Sequence, residues 1–407
     1  MLTRRALLGA GAAAGTALAA PVLARGTPDT IVVGAGVFGA WTAEMLRRQG
    51  QRVLLVDAWG PAHARASSGG ESRMTRAGYG ADPLYARMAW DSLPEWKGLS
   101  ARSTLPLFHQ TGVLFFTRDP DYVRQNIDAH RALGLDTVAL DNRALRRRYP
   151  QIAWNDGEIG FLEPQFGALM ARRAVQSLVA AFVAGGGDYR IAAIAPPFPG
   201  RRLARLVTDS GERLSAARFV FACGPWLPKL FPNLLGPRIF PTRQEVFFFA
   251  PEAGDDRFGP AKLPGWADYN DGDIYYGFPD LEARGFKIAH DAHGPRIDPD
   301  ANDRMPSAAA LADARAYMER RFPDLRGRPL AEARVCQYEN SATGDLLIDR
   351  HPRWDNVLLV GAGSGHGFKH GPAVGKRAAD MLLGDRPQDE PRLSLATKGE
   401  DAQRQVH

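Results

Sequence analysis

The hydrophobic and polar positions near the beginning of the chain predict a strand, a tight turn, a helix and a second strand. An apolar run at residues 31–33 leads directly into a turn that contains three glycines. A stretch with helical spacing follows, and a second apolar run at residues 53–56 ends at Asp57. This order is typical of the first part of a Rossmann-type βαβ unit.

The three glycines, Gly34, Gly36 and Gly39, have the spacing of a dinucleotide-binding turn. In such a turn the first glycine makes the bend, the second lets a pyrophosphate approach the backbone, and the third lets the helix pack closely on the strand. The helix N-terminus offers free N–H groups and a positive dipole end to the phosphates. The carboxylate of Asp57 is placed to accept hydrogen bonds from ribose hydroxyls. We therefore expect a bound dinucleotide, which this motif alone does not identify as FAD or NAD.

Alternating helix and strand patterns continue along the chain to residue 383. Helices are predicted at 83–99, 122–133, 142–148, 168–184, 313–321 and 372–383. Extended segments are predicted at 108–116, 160–164, 203–209, 218–222, 245–249, 274–277, 285–290, 333–338 and 356–360, with 203–209 and 218–222 expected to pair. The charged, proline-bearing residues 385–407 predict a flexible tail.

Segments typical of a nucleotide-binding sheet occur at the beginning, in the middle and at the end of the chain, with sheet-rich segments between them. We predict an α/β fold in which an interrupted Rossmann-like dinucleotide-binding domain carries an inserted mixed-sheet substrate domain. The dinucleotide-binding domain is assigned to 28–105, 165–240 and 331–384, and the substrate domain to 106–164 and 241–330.

Composition narrows the class of protein. The chain has 407 residues, 45% of them hydrophobic, which is enough for a sizeable core. The net charge of +6 is spread along the chain rather than collected in a basic patch, so we expect no nucleic-acid partner. Two cysteines, Cys223 and Cys336, make neither a zinc site nor a disulfide framework, and no metal is expected.

Residues 1–24 have the pattern of a signal peptide. Arg4 and Arg5 precede an Ala/Gly/Leu-rich stretch that ends near Ala24, and the arginine pair resembles the twin-arginine type. We expect export to a bacterial periplasm and removal of this leader. No other segment is long and apolar enough to cross a membrane, so no stable membrane span is expected after removal.

A second glycine-rich turn follows the apolar run at 356–360 and contains Gly363 and Gly365. An NAD enzyme has no evident need for such an element late in the chain. In a flavin enzyme, a helix N-terminus or a fixed cation stabilises the negative charge that reduced flavin gains near N1 and the C2 carbonyl. An ordinary strand-to-helix turn has the same pattern, so this turn alone leaves both interpretations open.

Three segments at 275–279, 336–352 and 363–369 together resemble the monomeric sarcosine oxidase and N-methyltryptophan oxidase group of the D-amino-acid-oxidase-like flavoproteins. The resemblance extends over about 30–383. It implies FAD and an amine or amino-acid substrate whose C–N bond is oxidised to an imine. It further implies hydride transfer to flavin N5 and reoxidation by oxygen, which gives hydrogen peroxide.

Cys336 matches the cysteine that in this group bonds covalently to the flavin. That chemistry needs a thiolate, which nearby cations favour. Arg73 resembles an arginine that lies under the flavin. The alternative interpretation of Cys336 is an inert buried thiol, as we expect for Cys223.

The resemblance also assigns the substrate-binding and oxygen-activating residues. Lys369 and Arg76 match the pair that binds the substrate carboxylate, and an arginine fork and an ammonium group suit that anion. His366 lies in the same turn as Lys369 and is placed to face the flavin or the substrate. Lys287 matches the lysine that activates oxygen by stabilising the negative charge of superoxide.

The remaining matched positions describe the substrate pocket. Tyr276 and Tyr338 fall where the family lines this pocket with tyrosines. Three features depart from the pattern: residues 67–70 lack a histidine, Asp291 stands in place of a pocket histidine, and Glu339 stands in place of a small hydroxyl residue. The added negative charges either favour a cationic substrate or are solvated.

Three other functions fit the same motifs. One is a flavin dehydrogenase that passes electrons to a quinone or carrier, and another is an NAD-dependent enzyme. The third is a flavin-binding module without catalytic activity.

Overall fold

The computed structural model describes residues 26–198, 200–270, 274–292, 294–384 and 389–400. The leader at 1–24 lies outside these residues, so its export function stays a prediction. Within the described ranges, no helix combines the length and the apolar character that a membrane crossing requires.

Nineteen strands and eight α-helices form in the described residues. In chain order the strands are β1 (Thr30–Val33), β2 (Val53–Asp57), β3 (Ser72–Thr75), β4 (Phe108–His109), β5 (Val113–Thr117), β6 (Val138–Leu140), β7 (Ile159–Glu163), β8 (Gly167–Met170), β9 (Asp188–Ile191), β10 (Arg205–Val207), β11 (Arg213–Ser215), β12 (Arg218–Phe221), β13 (Ile239–Phe249), β14 (Gly265–Asp268), β15 (Tyr275–Phe278), β16 (Phe286–His290), β17 (Leu330–Ser341), β18 (Leu347–His351) and β19 (Trp354–Gly361). The helices are α1 (Val37–Arg48), α2 (Pro83–Ala101), α3 (Pro120–Leu133), α4 (Asn142–Arg148), α5 (Ala171–Ala184), α6 (Leu227–Leu230), α7 (Ala308–Arg321) and α8 (Gly371–Leu383).

A six-stranded sheet with the order β18-β19-β12-β1-β2-β9 forms the first layer. All its neighbouring strands are parallel except the pair β18 and β19. β1 is buried along its whole length, as expected for a parallel strand with both faces covered. Because β1, β12 and β19 run in the same direction, the turns that follow them meet at one edge of the sheet.

An eight-stranded sheet with the order β17-β13-β16-β15-β14-β5-β7-β6 forms the second layer. It is mixed, since β14 and β5 are parallel while the other pairs are antiparallel. A cluster rich in aromatic residues, including Trp266, Tyr317 and Phe322, packs between this sheet and α7. The predicted fold class is therefore confirmed: a Rossmann-like sheet interrupted by a mixed sheet.

Three element predictions were wrong in detail. The segment 108–116 forms two strands, because Gly112 adopts a positive φ of 74° between them. The helix predicted from residue 168 begins at Ala171, because β8 pairs with β3 and β4. The expected pairing of 203–209 with 218–222 does not form: β10 pairs with β11, and β12 joins the parallel sheet beside β1.

Two assignments at the end of the chain also need correction. Residues 331–341 were placed in the dinucleotide-binding domain, but β17 pairs with β13 in the eight-stranded sheet. The tail is not flexible over 389–400, because Leu393 is fully buried and Arg392 forms ion pairs with Asp82 and Asp345. The rest of the predicted tail, 385–388 and 401–407, lies outside the described residues.

Candidate functional site

A cavity of about 410 Å³ lies at the edge of the six-stranded sheet where β1, β12 and β19 end. It extends from the first glycine-rich turn to the second and is bounded on another side by β17. Seven predicted site residues line it: Gly34, Gly36, Asp57, Arg73, Tyr338, Gly363 and Gly365. The tertiary structure thus joins two turns that are far apart in sequence.

The glycines of the first turn meet different steric demands. Gly34 has a positive φ of 104°, and a Cβ atom there would lie 2.3 Å from the Ala222 carbonyl oxygen. A Cβ atom at Gly39 would lie 1.8 Å from the Gly34 carbonyl oxygen, so helix and strand pack as closely as glycine allows. A Cβ atom at Gly36 would have Ser68 Oγ as its nearest neighbour, 3.5 Å away, so the backbone there is open toward the cavity.

Hydrogen bonds hold this turn in shape. The Ser68 hydroxyl accepts a 3.0 Å hydrogen bond from the Val37 N–H at the start of α1. Asp57 Oδ2 accepts a 2.7 Å hydrogen bond from the Ala35 N–H, and Oδ1 accepts from the N–H of Trp59. Asp57 therefore joins two turns while facing the cavity, and its contact with a ribose stays a prediction. Sequence reasoning missed the role of Ser68.

Arg73 and Cys336 come from distant segments and meet beside the cavity. Arg73 Nη2 lies 3.8 Å from Cys336 Sγ and donates a 2.8 Å hydrogen bond to the Ser67 carbonyl. Burial alone would lower the pKa of Arg73. The neighbouring Cys336 and two nearby tyrosines have the opposite and larger combined effect, so the pKa of Arg73 is raised. The Cys336 sulfur therefore lies in the kind of electropositive environment in which reactive cysteines are found.

Lys287 on β16 is a buried amine. Its side chain is 1% exposed, and Nζ donates a 3.0 Å hydrogen bond to the Ser72 carbonyl. The ammonium group lies 5.6 Å from the centre of the Tyr276 ring and 5.3 Å from that of Phe278. Burial, with Arg73 as the next cause, lowers the pKa of Lys287 to about 7. Its charge therefore responds to pH and to any nearby anion in the neutral range.

Arg76 and Lys369 converge on one aromatic ring. Arg76 Cζ lies 4.2 Å and Lys369 Nζ 5.1 Å from the centre of the Tyr79 ring. Lys369 Nζ donates a 2.8 Å hydrogen bond to the His366 carbonyl. Burial and the neighbouring Arg76 lower the pKa of Lys369 well below its usual value. An anion placed between these cations would restore the charge on Lys369.

Two residues that sequence reasoning missed support this cation pair. The Tyr79 hydroxyl lies 3.0 Å from His366 Nδ1 and 2.8 Å from His370 Nε2, which fixes the ring. Glu163 accepts a hydrogen bond from the Ala77 N–H, and burial raises the pKa of Glu163 to about 8 although Arg76 opposes the shift. The one available signal was the position of Tyr79, three residues after Arg76.

The predicted pocket tyrosines lie near Asp291. The Tyr338 hydroxyl donates a 3.3 Å hydrogen bond to Asp291 Oδ1. Burial raises the pKa of Tyr276 to about 12, with Asp291 as the next cause. Asp291 also acts electrostatically on Lys369, so one carboxylate influences both the tyrosines and the carboxylate-binding cations.

The remaining predicted residues do not line the cavity. They are Gly39, Arg76, Tyr276, Lys287, Cys336, His366 and Lys369. Cys336 is nonetheless in contact with Arg73, which does line it. The cavity suits FAD in three respects: open backbone at the start of α1, a pair of tryptophans (Trp59 and Trp226, 4.9 Å between ring centres), and buried cations beside it.

Comparison with known proteins supports this assignment. The family described as DAO, FAD dependent oxidoreductase, matches residues 29–381. A monomeric sarcosine oxidase from Bacillus sp. (strain B-0618) is 28% identical over 361 residues, which cover 87% of this chain and 92% of the relative. An N-methyl-L-tryptophan oxidase from Salmonella heidelberg (strain SL476) is 29% identical over 366 residues, which cover 88% and 95%.

Solved structures share the fold at lower identity. The crystal structure of L-proline dehydrogenase from P. horikoshii superposes with a TM-score of 0.77 at 18% identity, covering 89% of this chain and 95% of that one. This likeness concerns the fold alone, and it shows that a protein named as a dehydrogenase has the same architecture.

Proposed function

The chain belongs to the DAO family of FAD-dependent oxidoreductases, and from this premise we propose that it is an oxidase of an amine or amino acid. The reaction converts a C–N bond to an imine, with oxygen as the final electron acceptor and hydrogen peroxide as product. FAD, when bound, supplies the acceptor for the hydride and both electrons. The observation that most directly supports this proposal is that two buried cationic side chains, Arg76 and Lys369, both lie against the ring of Tyr79.

These cations would hold the carboxylate of an amino-acid substrate. The guanidinium group of Arg76 stays charged, whereas Lys369 loses its proton readily in the absence of an anion. A carboxylate that binds between them compensates the arginine and draws a proton onto Lys369. Substrate binding would therefore be coupled to proton uptake, and the bound carboxylate would orient the C–N bond relative to the cavity.

Lys287 would serve the reaction with oxygen. Its ammonium group is buried among aromatic rings, where a fixed charge acts in a low-dielectric environment. The first electron that reaches oxygen creates a negative charge, which this cation would stabilise. Arg73 keeps a second positive charge nearby.

The test of this function is anaerobic mixing of purified protein with a panel of amino acids and amines. Loss of the flavin absorbance bands with at least one compound supports the proposal. If no compound removes these bands, the protein is a flavin-binding module without catalytic activity. Protein that neither carries nor takes up FAD overturns the assignment as a whole.

A second candidate is a dehydrogenase that passes electrons to a quinone or carrier, because the fold is shared with a protein named as an L-proline dehydrogenase. The two functions differ in the fate of the electrons. About one peroxide for each amine oxidised supports the oxidase. Fast dye reduction with almost no peroxide supports the dehydrogenase.

We further propose that FAD is bound covalently through Cys336, and we predict the effect of Cys336→Ser. After acid precipitation, the yellow colour of the wild type should stay in the pellet, whereas the flavin of Cys336→Ser should move to the supernatant. The reason is the 3.8 Å contact between Sγ and Arg73, which places the sulfur in an electropositive environment typical of reactive cysteines. Cys223→Ser, at the other cysteine, is the matched control and should behave as wild type. Wild-type flavin found in the supernatant would contradict covalent attachment.

Asp291 should set the preference for charged substrates. The wild type should oxidise an amino acid with a cationic side chain faster than its neutral isostere, because Asp291 adds a half-buried negative charge beside Tyr338. Asp291→Asn should reduce the ratio of the two kcat/KM values by about tenfold, roughly 1.4 kcal/mol. The exposed Asp128→Asn serves as control. An unchanged ratio would show that Asp291 has no part in selectivity.

A further inference from the structure

Glu339 is a buried carboxylic acid at the edge of the cofactor cavity. It lies near the end of β17, is 5% exposed and contributes to the cavity wall. Among the described residues, its Oε1 atom is buried without a hydrogen-bond partner. Buried polar atoms are almost always paired, so an unpaired carboxyl oxygen in a residue that lines the cavity calls for a physical explanation.

Two glycines lie next to the carboxyl oxygens of Glu339. A Cβ atom at Gly361 would lie 2.4 Å from Oε1, and one at Gly224 would lie 3.8 Å from Oε2. Gly224 follows strand β12, and Gly361 is the last residue of strand β19. Both lie at the edge of the six-stranded sheet where the two glycine-rich turns meet. The absence of a side chain at Gly361 leaves room for the carboxyl group, whereas the distance at Gly224 is an ordinary van der Waals contact.

Within the part of the chain that the structure describes, no cation acts on Glu339. On its own strand the adjacent titratable group is Tyr338, and the turn after β12 contributes the Cys223 thiol. The loop after β19 contributes only backbone N–H groups, from Ala362 and Gly363. Burial outweighs these N–H groups and raises the pKa of Glu339 to about 8.

We propose that Glu339 is a cofactor-binding residue that acts as a neutral carboxylic acid, with its hydroxyl donating a hydrogen bond to an oxygen atom of bound FAD. An ionised carboxylate has no proton to donate and would repel the phosphate-bearing cofactor, whereas the neutral acid has a proton to donate and carries no net charge. The inference rests on FAD binding, which family membership establishes, and not on any substrate.

The consequence is a cofactor affinity that depends on pH. Binding FAD raises the pKa of Glu339 further, because the complex needs the proton. FAD affinity should therefore be constant below about pH 7. It should fall by about tenfold per pH unit once the pH exceeds the pKa that Glu339 has in the protein without FAD.

The experiment measures the Kd of FAD by fluorescence quenching from pH 6.5 to 9.5, with full-length apoprotein in the Cys336→Ser background so that binding is reversible. The parent should lose affinity above about pH 8. Adding Glu339→Gln, which keeps a donor of similar shape without a titrating proton, should remove that loss. Adding Glu339→Ala should weaken binding by about fivefold even at pH 6.5, as expected for one hydrogen bond.

Other groups titrate in the same range, notably Lys287, so the comparison of Gln variant with parent is decisive. An equal fall in affinity in both proteins overturns the proposal, as does a flat profile in the parent. Equal affinity of the Ala variant and parent at pH 6.5 overturns it as well. Circular dichroism verifies that each variant is folded, and if Glu339→Ala is not, the Gln comparison decides alone. A protein that binds FAD as expected but oxidises no amine leaves this inference intact while refuting the proposed function.

Discussion

Lys287→Met is expected to slow the reaction of the reduced enzyme with oxygen by a factor of about 100 to 1,000, the range for loss of one preorganised charge-stabilising group. Methionine keeps the length of the side chain and fills the aromatic pocket around Tyr276 and Phe278. It removes the positive charge and the 3.0 Å hydrogen bond to the Ser72 carbonyl. The predicted loss is therefore electrostatic rather than steric.

Stopped-flow mixing of anaerobically reduced enzyme with oxygenated buffer measures this rate. Reduction by substrate should change little, because the mutation leaves the carboxylate-binding cations in place. Lys287→Arg is the matched control and should retain most of the oxygen reactivity. Unchanged oxygen reactivity in Lys287→Met would remove the lysine from this role.

The same reaction should depend on pH in a defined direction. The pKa of Lys287 is lowered to about 7, so the cation is present below that value and is lost as the pH rises. Wild-type oxygen reactivity should therefore decline toward alkaline pH, while Lys287→Met should show a flat profile. A wild-type rate that rises through this range would mean that another group controls the step.

Lys369→Met is expected to reduce kcat/KM for an amino-acid substrate by about a hundredfold, which corresponds to roughly 2.7 kcal/mol. The change removes one of two buried cations that face Tyr79 and leaves Arg76 to hold the carboxylate alone. Most of the effect should appear in KM, because the lost interaction is present both in the bound substrate and during the reaction.

The decarboxylated amine of the same substrate is the control. It has no carboxylate to bind, so its kcat/KM should be nearly equal in wild type and Lys369→Met. A phenol-red assay in weak buffer should detect proton uptake when a non-oxidisable carboxylate binds to the wild type, and no uptake in the variant. Equal losses for both substrates would indicate a structural role for Lys369 instead.

Local sequence patterns were sufficient for the turns and for most elements. Gly34 and Gly39 are spaced by the geometry of a strand that turns into a helix, and this geometry involves only neighbouring residues. The helix at 142–148 was predicted with its observed ends, since Asp141 caps its N-terminus. The predictions failed where distant strands compete, as when β12 pairs with β1 rather than with β10.

The site residues divide in the same way. Sequence similarity led to the prediction of Cys336, Lys287 and Lys369 as site residues, because motifs keep residue identity and order, and their roles stay predictions. The sequence alone could not indicate that Tyr79 joins Arg76 to Lys369, or that Glu339 lines the cavity with one carboxyl oxygen unpaired. Such features arise from contacts between segments far apart in the chain, and desolvation after folding sets the charge of each group. The sequence thus determined which chemical groups are available, and the tertiary structure decided which of them meet and in what charge state.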